Sequence, residues 1–285
     1  MAKYKDIIAF CFLFSISFVF MSQVVKTVDP VLSTLITYGF AALFFILINI
    51  NNLSELTLIA KGNVKVMVKI NVSTLVNTFL AFYVMLYVSP IVYIIVFFSG
   101  LSFFSVLFKQ DRNKLNITST LSVFTLSIMT SILISDAAIG KTVVGILLTL
   151  ISTFFALQYM KDSAVLHSNL GVKVSQVLAL RFFLVIAICG SYSIYDSAFS
   201  TLVSSDLFLL VFISIIGSII PLFLMQAAIK KLGVSLTAQF TPFTPIICLI
   251  FMILVEGTSF TALEIMSICA MTLLLFFQAK LLHRE

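Results

Sequence analysis

The stretch LFLLVFISIIGSII, Leu207–Ile220, is apolar throughout except for two serines and one glycine. VGILLTLISTFFALQ, Val144–Gln158, has the same character. A strand of a membrane barrel would alternate apolar and polar residues over about ten positions, which neither stretch does. In lipid, a continuous apolar run satisfies its backbone polar groups as a helix. These stretches therefore predict an all-α integral membrane protein.

Composition supports this prediction over the whole chain. Of its 285 residues, 61% are hydrophobic and 10% are charged, and the mean hydropathy is +1.21. A soluble domain has about 25% charged residues. A membrane helix needs about 20 mainly apolar residues. Ten segments meet or nearly meet this length: Ile7–Val25, Val31–Asn49, Val66–Val88, Pro90–Phe108, Asn116–Ser135, Thr142–Tyr159, Ser175–Tyr195, Leu207–Ile229, Val234–Val255 and Ala262–Leu282.

The basic residues test this count of segments. When the loops are assigned to alternate sides, one side receives Lys26 and Lys141, and Arg181 falls inside a segment. The other side receives Lys3, Lys5, Lys61, Lys65, Lys69, Lys109, Arg112, Lys114, Lys161, Lys173, Lys230, Lys231, Lys280 and Arg284. The strongly basic side of a membrane protein is cytoplasmic. The sequence thus predicts ten spans in the cell (inner or plasma) membrane, with both termini in the cytoplasm.

The ten segments divide into two sets of five, residues 1–138 and 139–285. An odd number of spans in each half places the halves in opposite orientations. An offset of 143 residues pairs Tyr38 with Arg181 in the second span of each half. Inverted repeats are common in transporters, where the substrate site lies near the midplane between the repeats. We therefore expect two inverted five-helix repeats around a central cavity.

With this topology, the chain resembles EamA-type members of the drug/metabolite transporter superfamily along its whole length. The resemblance rests on Pro30 before the second span, on Arg181 in the second half, and on Pro245 and Glu256 in the ninth span. The chain departs from the family in having no tryptophan and in reading Phe14-Ser15 where a tryptophan-glycine pair is usual. The resemblance implies a transporter of small organic molecules, often an exporter.

Arg181 is the leading candidate for substrate binding. Its guanidinium either faces the cavity and holds an anionic group such as a carboxylate, or lifts along its own stem to the membrane interface. Polar residues in NVSTLVNTFLAFY, Asn71–Tyr83, form a second candidate surface, and helix packing is the alternative role for them. Beside Arg181, the candidate binding residues are Tyr38, Gln23, Asn77, Thr74, Gln158, Tyr159 and Gln239.

Helix-breaking residues in the second half are candidates for gating. They are Gly217, Pro221, Pro242 and Pro245. A proline removes a helical donor and leaves a carbonyl that needs a partner, and such breaks often mark transporter sites. A static kink is the alternative.

No catalytic motif, metal-ligand spacing or cofactor motif is visible, and the four cysteines lie in apolar segments. All acidic residues fall in loops or near span ends, which favours facilitated export or exchange by alternating access over proton coupling. A proton-coupled exporter and an uptake carrier, for example for S-adenosylmethionine, remain alternatives; an intramembrane enzyme or a structural protein is the rival class. The expected partners are a small-molecule substrate and the bilayer, without nucleic acid, and a monomer fits this architecture.

Overall fold

The protein is all-α in the computed structural model, which describes residues 5–108, 114–239 and 243–282; no strand occurs among them. The helices are α1 Lys5–Val24, α2 Pro30–Ile48, α3 Leu53–Gly62, α4 Val64–Tyr83, α5 Pro90–Leu107, α6 Lys114–Leu133, α7 Ile139–Leu170, α8 Val174–Leu180, α9 Phe183–Tyr195, α10 Ser204–Ile213, α11 Ile220–Gln239, α12 Thr244–Phe251 and α13 Ala262–Leu282. Helix α5 is the most deeply buried, with every side chain from Pro90 to Leu101 inside the core.

Seven helical stretches of the described chain are long and apolar enough to cross a bilayer: Lys5–Val24, Pro30–Ile48, Val64–Leu86, Pro90–Leu107, Ile139–Ser168, Val174–Tyr195 and Ser204–Gly233. Three apolar helices are shorter: Ile117–Leu133 and Ala262–Phe277 lie within the fifth and tenth predicted segments, and Thr244–Glu256 overlaps the second half of the ninth. This set of helices fits a multi-pass membrane protein.

Two helices differ from the predicted segments in ways that matter for the site. Helix α7 continues to Leu170, well beyond the predicted end at Tyr159, and stops at Gly171, whose φ of 62° is readily adopted by glycine. Helix α3 occupies a stretch predicted as a loop. Its Leu53 and Leu58 are 47% and 70% exposed, and Glu55 and Lys61 lie in its first and last turns. An amphipathic helix of this kind can lie at a membrane surface.

Two of the predicted spans are interrupted at places that matter for the site. The seventh, Ser175–Tyr195, is divided into α8 and α9 by a break at Arg181 and Phe182. The eighth contains a π-helical turn, Ser214–Ile219, between α10 and α11. Pro221 follows this turn directly. These two interruptions lie beside the cavity described below.

The predicted boundary between the eighth and ninth segments corresponds to a kink at Gly233 (φ 80°, ψ 170°), within α11. Pro245 lies in the first turn of α12, where a missing backbone N–H costs no helical hydrogen bond. Pro245 thus lies where a helix starts inside the predicted ninth segment, because α11 ends at Gln239 and α12 begins at Thr244.

Candidate functional site

The break between α8 and α9 is bridged by a side chain from α4. The Asn71 amide donates to the carbonyl of Leu180 at 2.8 Å, and its oxygen accepts from the backbone N–H of Leu184 at 3.3 Å. In an unbroken helix these two backbone groups would bond to each other. Asn71 therefore takes the place of one helical hydrogen bond across the gap that contains Arg181.

Arg181 is buried in this gap, with only 1% of its surface exposed. Its Nε donates to the hydroxyl of Thr74 at 3.2 Å, and the guanidinium carbon lies 3.6 Å from the centre of the Tyr159 ring and 5.0 Å from that of Phe182. Aromatic faces attract a cation, and the attraction grows when water is excluded. Its Nη1 is also buried but has no hydrogen-bond partner within the described chain.

No carboxylate pairs with Arg181 among residues 5–108, 114–239 and 243–282, where the only ion pair joins Lys231 to Asp6. A buried charge normally needs a partner, because leaving water is costly. The ring of Tyr159 and one hydroxyl meet that need in part. The unpartnered Nη1 leaves capacity for an anion.

A narrow cavity lies between the helices next to this arginine. Besides Arg181, it is lined by Tyr38 of α2, Asn77 of α4 and Tyr159 of α7, and by Gly217 and Pro221 at the interrupted eighth segment. About 50 Å³ is open to the centre of a water-sized sphere. That is room for a few water molecules, so a larger molecule requires the lining to move.

Aromatic rings from α1 and α5 form the rest of the lining. Phe18 stacks on Tyr93 with ring centres 4.6 Å apart, Phe97 stacks on the same tyrosine at 5.4 Å, and Phe14 lies tilted against both phenylalanines. The Tyr93 hydroxyl lies 3.2 Å from that of Ser152, which also donates to the Asn77 side chain at 2.9 Å. The cavity thus joins one cation to a largely apolar, aromatic wall.

Helix α1 is tied to the second half of the chain near both of its ends. Asp6, at the start of α1, forms an ion pair of 2.5 Å with Lys231 of α11. Near the other end, Ser22 donates to Glu256 at 2.6 Å, and Thr27 donates to Asp206 at 3.2 Å. These contacts join α1 and the turn that follows it to the second half of the chain.

The structure brings six of the sequence candidates together around the cavity: Arg181, Tyr38, Asn77, Tyr159, Gly217 and Pro221. Thr74 contacts the site through its hydrogen bond to Arg181. Gln23 and Gln158 are half-buried and do not line the cavity. Gln158 precedes Tyr159 and so points to another face of α7. Pro242 and the side chain of Gln239 lie outside the described part of the structure.

Sequence reasoning missed two buried side chains behind the site, His167 and Gln226. Gln226 is hydrogen-bonded to Tyr159, and His167 is hydrogen-bonded to Gln226. One signal was present, since Tyr159, Ser163 and His167 recur at a spacing of four residues and therefore share a helix face. Among the described residues, no group of three or more His, Cys, Asp or Glu side chains could hold a metal ion.

No family model matches the chain, and no curated protein matches it. Among solved structures, one described as "Crystal structure of protein" is similar with a TM-score of 0.69 and 14% sequence identity, covering 100% of this chain and 99% of that one. At this level of identity, the similarity shows a shared fold and carries no information about activity.

Proposed function

We propose that the protein is a membrane carrier for small organic metabolites, amino-acid-like or amphipathic, of the EamA type. In this proposal the ten apolar segments all span the cell membrane, residues 1–138 and 139–285 form inverted repeats, and both termini are cytoplasmic. The separation of basic residues between alternate loops supports the topology. The cavity lies between helices from both halves, which is where carriers built from inverted repeats bind their substrates.

The observation that carries the proposal is the buried Arg181 guanidinium at the cavity, with Nη1 left without a partner. A guanidinium has five N–H donors in a planar fork that matches a carboxylate. A carboxylate entering the cavity would satisfy Nη1 and neutralise the buried charge. The aromatic wall of Phe14, Phe18 and Phe97 suits an apolar group on the same molecule.

In this proposal, transport requires α1 to separate from the second half at one end at a time. Breaking the contacts of Ser22 with Glu256 and of Thr27 with Asp206 would open one side, and breaking the Asp6–Lys231 pair would open the other. No acidic side chain contacts Arg181 in the described chain, so the carrier is expected to move substrate down its gradient or in exchange. Net flux is then outward when the cell holds the substrate in excess.

Counterflow in proteoliposomes tests the carrier function. Vesicles containing purified protein and unlabelled L-phenylalanine should transiently accumulate labelled L-phenylalanine from outside. Phenethylamine, which keeps the ring and the amine but lacks the carboxylate, should not support the exchange. Accumulation equal to that of protein-free vesicles, across a panel of amino acids and amphipathic carboxylates, would contradict the proposal.

Reporter fusions test the topology separately. A reporter fused after Lys26 or Lys141 should be located outside the cell membrane, and one fused after Lys114 or Lys231 should be located inside. A mixed result at these four sites would contradict the ten-span arrangement even if transport were observed.

A further inference from the structure

The charge of the cavity lining comes from Arg181. The other side chains that the structure describes there are neutral. Asn77, Thr78 and three tyrosines supply the polar atoms, and the rest are phenylalanine, methionine, leucine, alanine, glycine and proline. Residues 240–242, between two described ranges, are phenylalanine, threonine and proline and add no charge. A molecule enclosed in this cavity therefore meets a single fixed cation.

The neutral polar groups of the lining are engaged with their neighbours. The Ser152 hydroxyl donates to the Asn77 side chain at 2.9 Å and lies 3.2 Å from the Tyr93 hydroxyl. The Thr78 hydroxyl donates to a backbone carbonyl one turn earlier, at 2.7 Å. In contrast, Nη1 of Arg181 is buried and has no partner in the described chain. The group of the lining that needs a partner is thus a cationic donor, and an anion satisfies it.

The aromatic rings of the lining are partly covered in the same way. The Arg181 guanidinium lies over the ring of Tyr159, and Phe18 and Phe97 both stack on Tyr93. Aromatic faces are the neutral surfaces that best attract an ammonium, and one of them here already holds a cation. A second cation would also be repelled by the guanidinium in a cavity with little water. The lining therefore favours an anion and disfavours an ammonium.

The net charge of the closed cavity depends on the molecule that it encloses. A monocarboxylate neutralises Arg181 and leaves no net charge. An α-amino acid brings an ammonium as well as a carboxylate, so one positive charge stays buried. A dicarboxylate leaves one negative charge. Because an uncompensated buried charge is costly, the best match is a molecule with one carboxylate and no amine.

Widening the cavity by a movement of α1 does not alter this match. Helix α1 faces the cavity with Phe10, Phe14, Phe18 and Met21, and its charged residues lie in its first turn. A ring admitted by such a movement would contact these apolar side chains. Their large apolar and aromatic surfaces suit an aromatic group on the same molecule as the carboxylate.

We propose that the preferred substrates of the Arg181 cavity are aromatic monocarboxylates without an amino group, such as arylacetates and arylpropionates. The inference rests on the proposed carrier function and narrows its substrate class. Aromatic amino acids bind more weakly, because their carboxylate reaches Arg181 while their ammonium has no carboxylate partner in the lining.

Calorimetry with three ligands of similar shape at neutral pH tests the proposal on the purified protein. Hydrocinnamate is L-phenylalanine without its amine, and benzylmalonate carries a second carboxylate in place of the amine. We expect hydrocinnamate to bind about tenfold more tightly than L-phenylalanine, and benzylmalonate to bind more weakly than hydrocinnamate as well. If L-phenylalanine or benzylmalonate binds as tightly as hydrocinnamate, the proposal fails while the carrier function stands. If none of the three binds, both fail.

A substitution that adds a carboxylate to the lining should reverse the ranking. Asn77→Asp keeps nearly the same shape, and aspartate can accept from the Ser152 hydroxyl. It gives an ammonium its partner, so this variant should bind L-phenylalanine more tightly than hydrocinnamate. Gln158→Glu is the matched control, because Gln158 does not line the cavity, and it should keep the original preference.

An Asn77→Asp protein that folds and still prefers hydrocinnamate would overturn the proposal. If this variant does not fold, the ranking of the three ligands on the unmodified protein decides the question by itself.

Discussion

The two interrupted helices at the cavity differ in how their backbones are satisfied. At the break between α8 and α9, the Asn71 amide from another helix bonds to Leu180 and Leu184. At the π-helical turn Ser214–Ile219, the chain keeps its own hydrogen bonds with a longer period. There the contacts with the first half include a hydrogen bond from the Ser214 hydroxyl to the carbonyl of Thr37, at 2.7 Å, and the close approach of Gly217 to Ser17.

This difference suggests that the two interrupted regions have different roles. The amide bridge fixes the α8–α9 break and so fixes Arg181, which in the proposed function holds an anion at one place. The π-helical turn can return to ordinary helix by a one-residue shift without leaving backbone groups unpaired. The first region therefore suits binding, and the second suits movement of α10 and α11 against α1.

The largest effect on stability is expected at the bridge. Asn71→Leu preserves the approximate volume but removes the partners of two buried backbone groups, each worth about 1–3 kcal/mol. We expect a loss of about 2–4 kcal/mol in the free energy of unfolding, measured in detergent micelles with denaturant. Asn63→Leu is the matched control, since the Asn63 amide bonds to Ile59 in the preceding turn. Equal stability of the two variants would contradict the bridging role.

A smaller effect is expected at the π-helical turn. A Cβ at Gly217 would lie 2.6 Å from the Cβ of Ser17, so Gly217→Ala must push α1 away. Such overpacking costs about 1–3 kcal/mol. Adding Ser17→Gly should restore most of the loss. Gly190→Ala, where the nearest atom is a leucine methyl at 3.7 Å, serves as the control and should be neutral or stabilising. If the double variant is no more stable than Gly217→Ala, the close packing of Gly217 against Ser17 is not the cause of the lost stability.

The smallest effect is expected for the ion pair at the start of α1. Lys231 is 58% exposed on its side chain, and an exposed pair contributes about 0–1 kcal/mol. Lys231→Gln should therefore leave the unfolding midpoint nearly unchanged at moderate salt. Counterflow should nevertheless change measurably, because in the proposed transport cycle this pair joins parts that separate. A loss of stability as large as that of Asn71→Leu would show that this end is part of the fixed scaffold.

The sequence predicts most of the helices, because a long, continuous apolar run in lipid satisfies its backbone polar groups as a helix. It does not predict the break at Arg181, because Ser175–Tyr195 contains no proline and the residue that satisfies the break, Asn71, is more than a hundred positions away. It gives His167 no place near the site, because the sixth segment is predicted to end at Tyr159 whereas α7 continues to Leu170. The aromatic wall could not be chosen from 30 phenylalanines by spacing alone.

The central claim is that Arg181 binds the carboxylate of a substrate in the closed cavity, and one binding measurement tests it most directly. Calorimetry should compare L-phenylalanine with phenethylamine on the unmodified protein, Arg181→Lys and Arg181→Leu at one pH. The account predicts that the unmodified protein binds L-phenylalanine and not phenethylamine, that lysine weakens this binding because it lacks the planar fork, and that leucine abolishes it. The account would be contradicted if the Arg181→Leu protein still bound L-phenylalanine with unchanged affinity. A cooperative unfolding transition would show that this variant is folded.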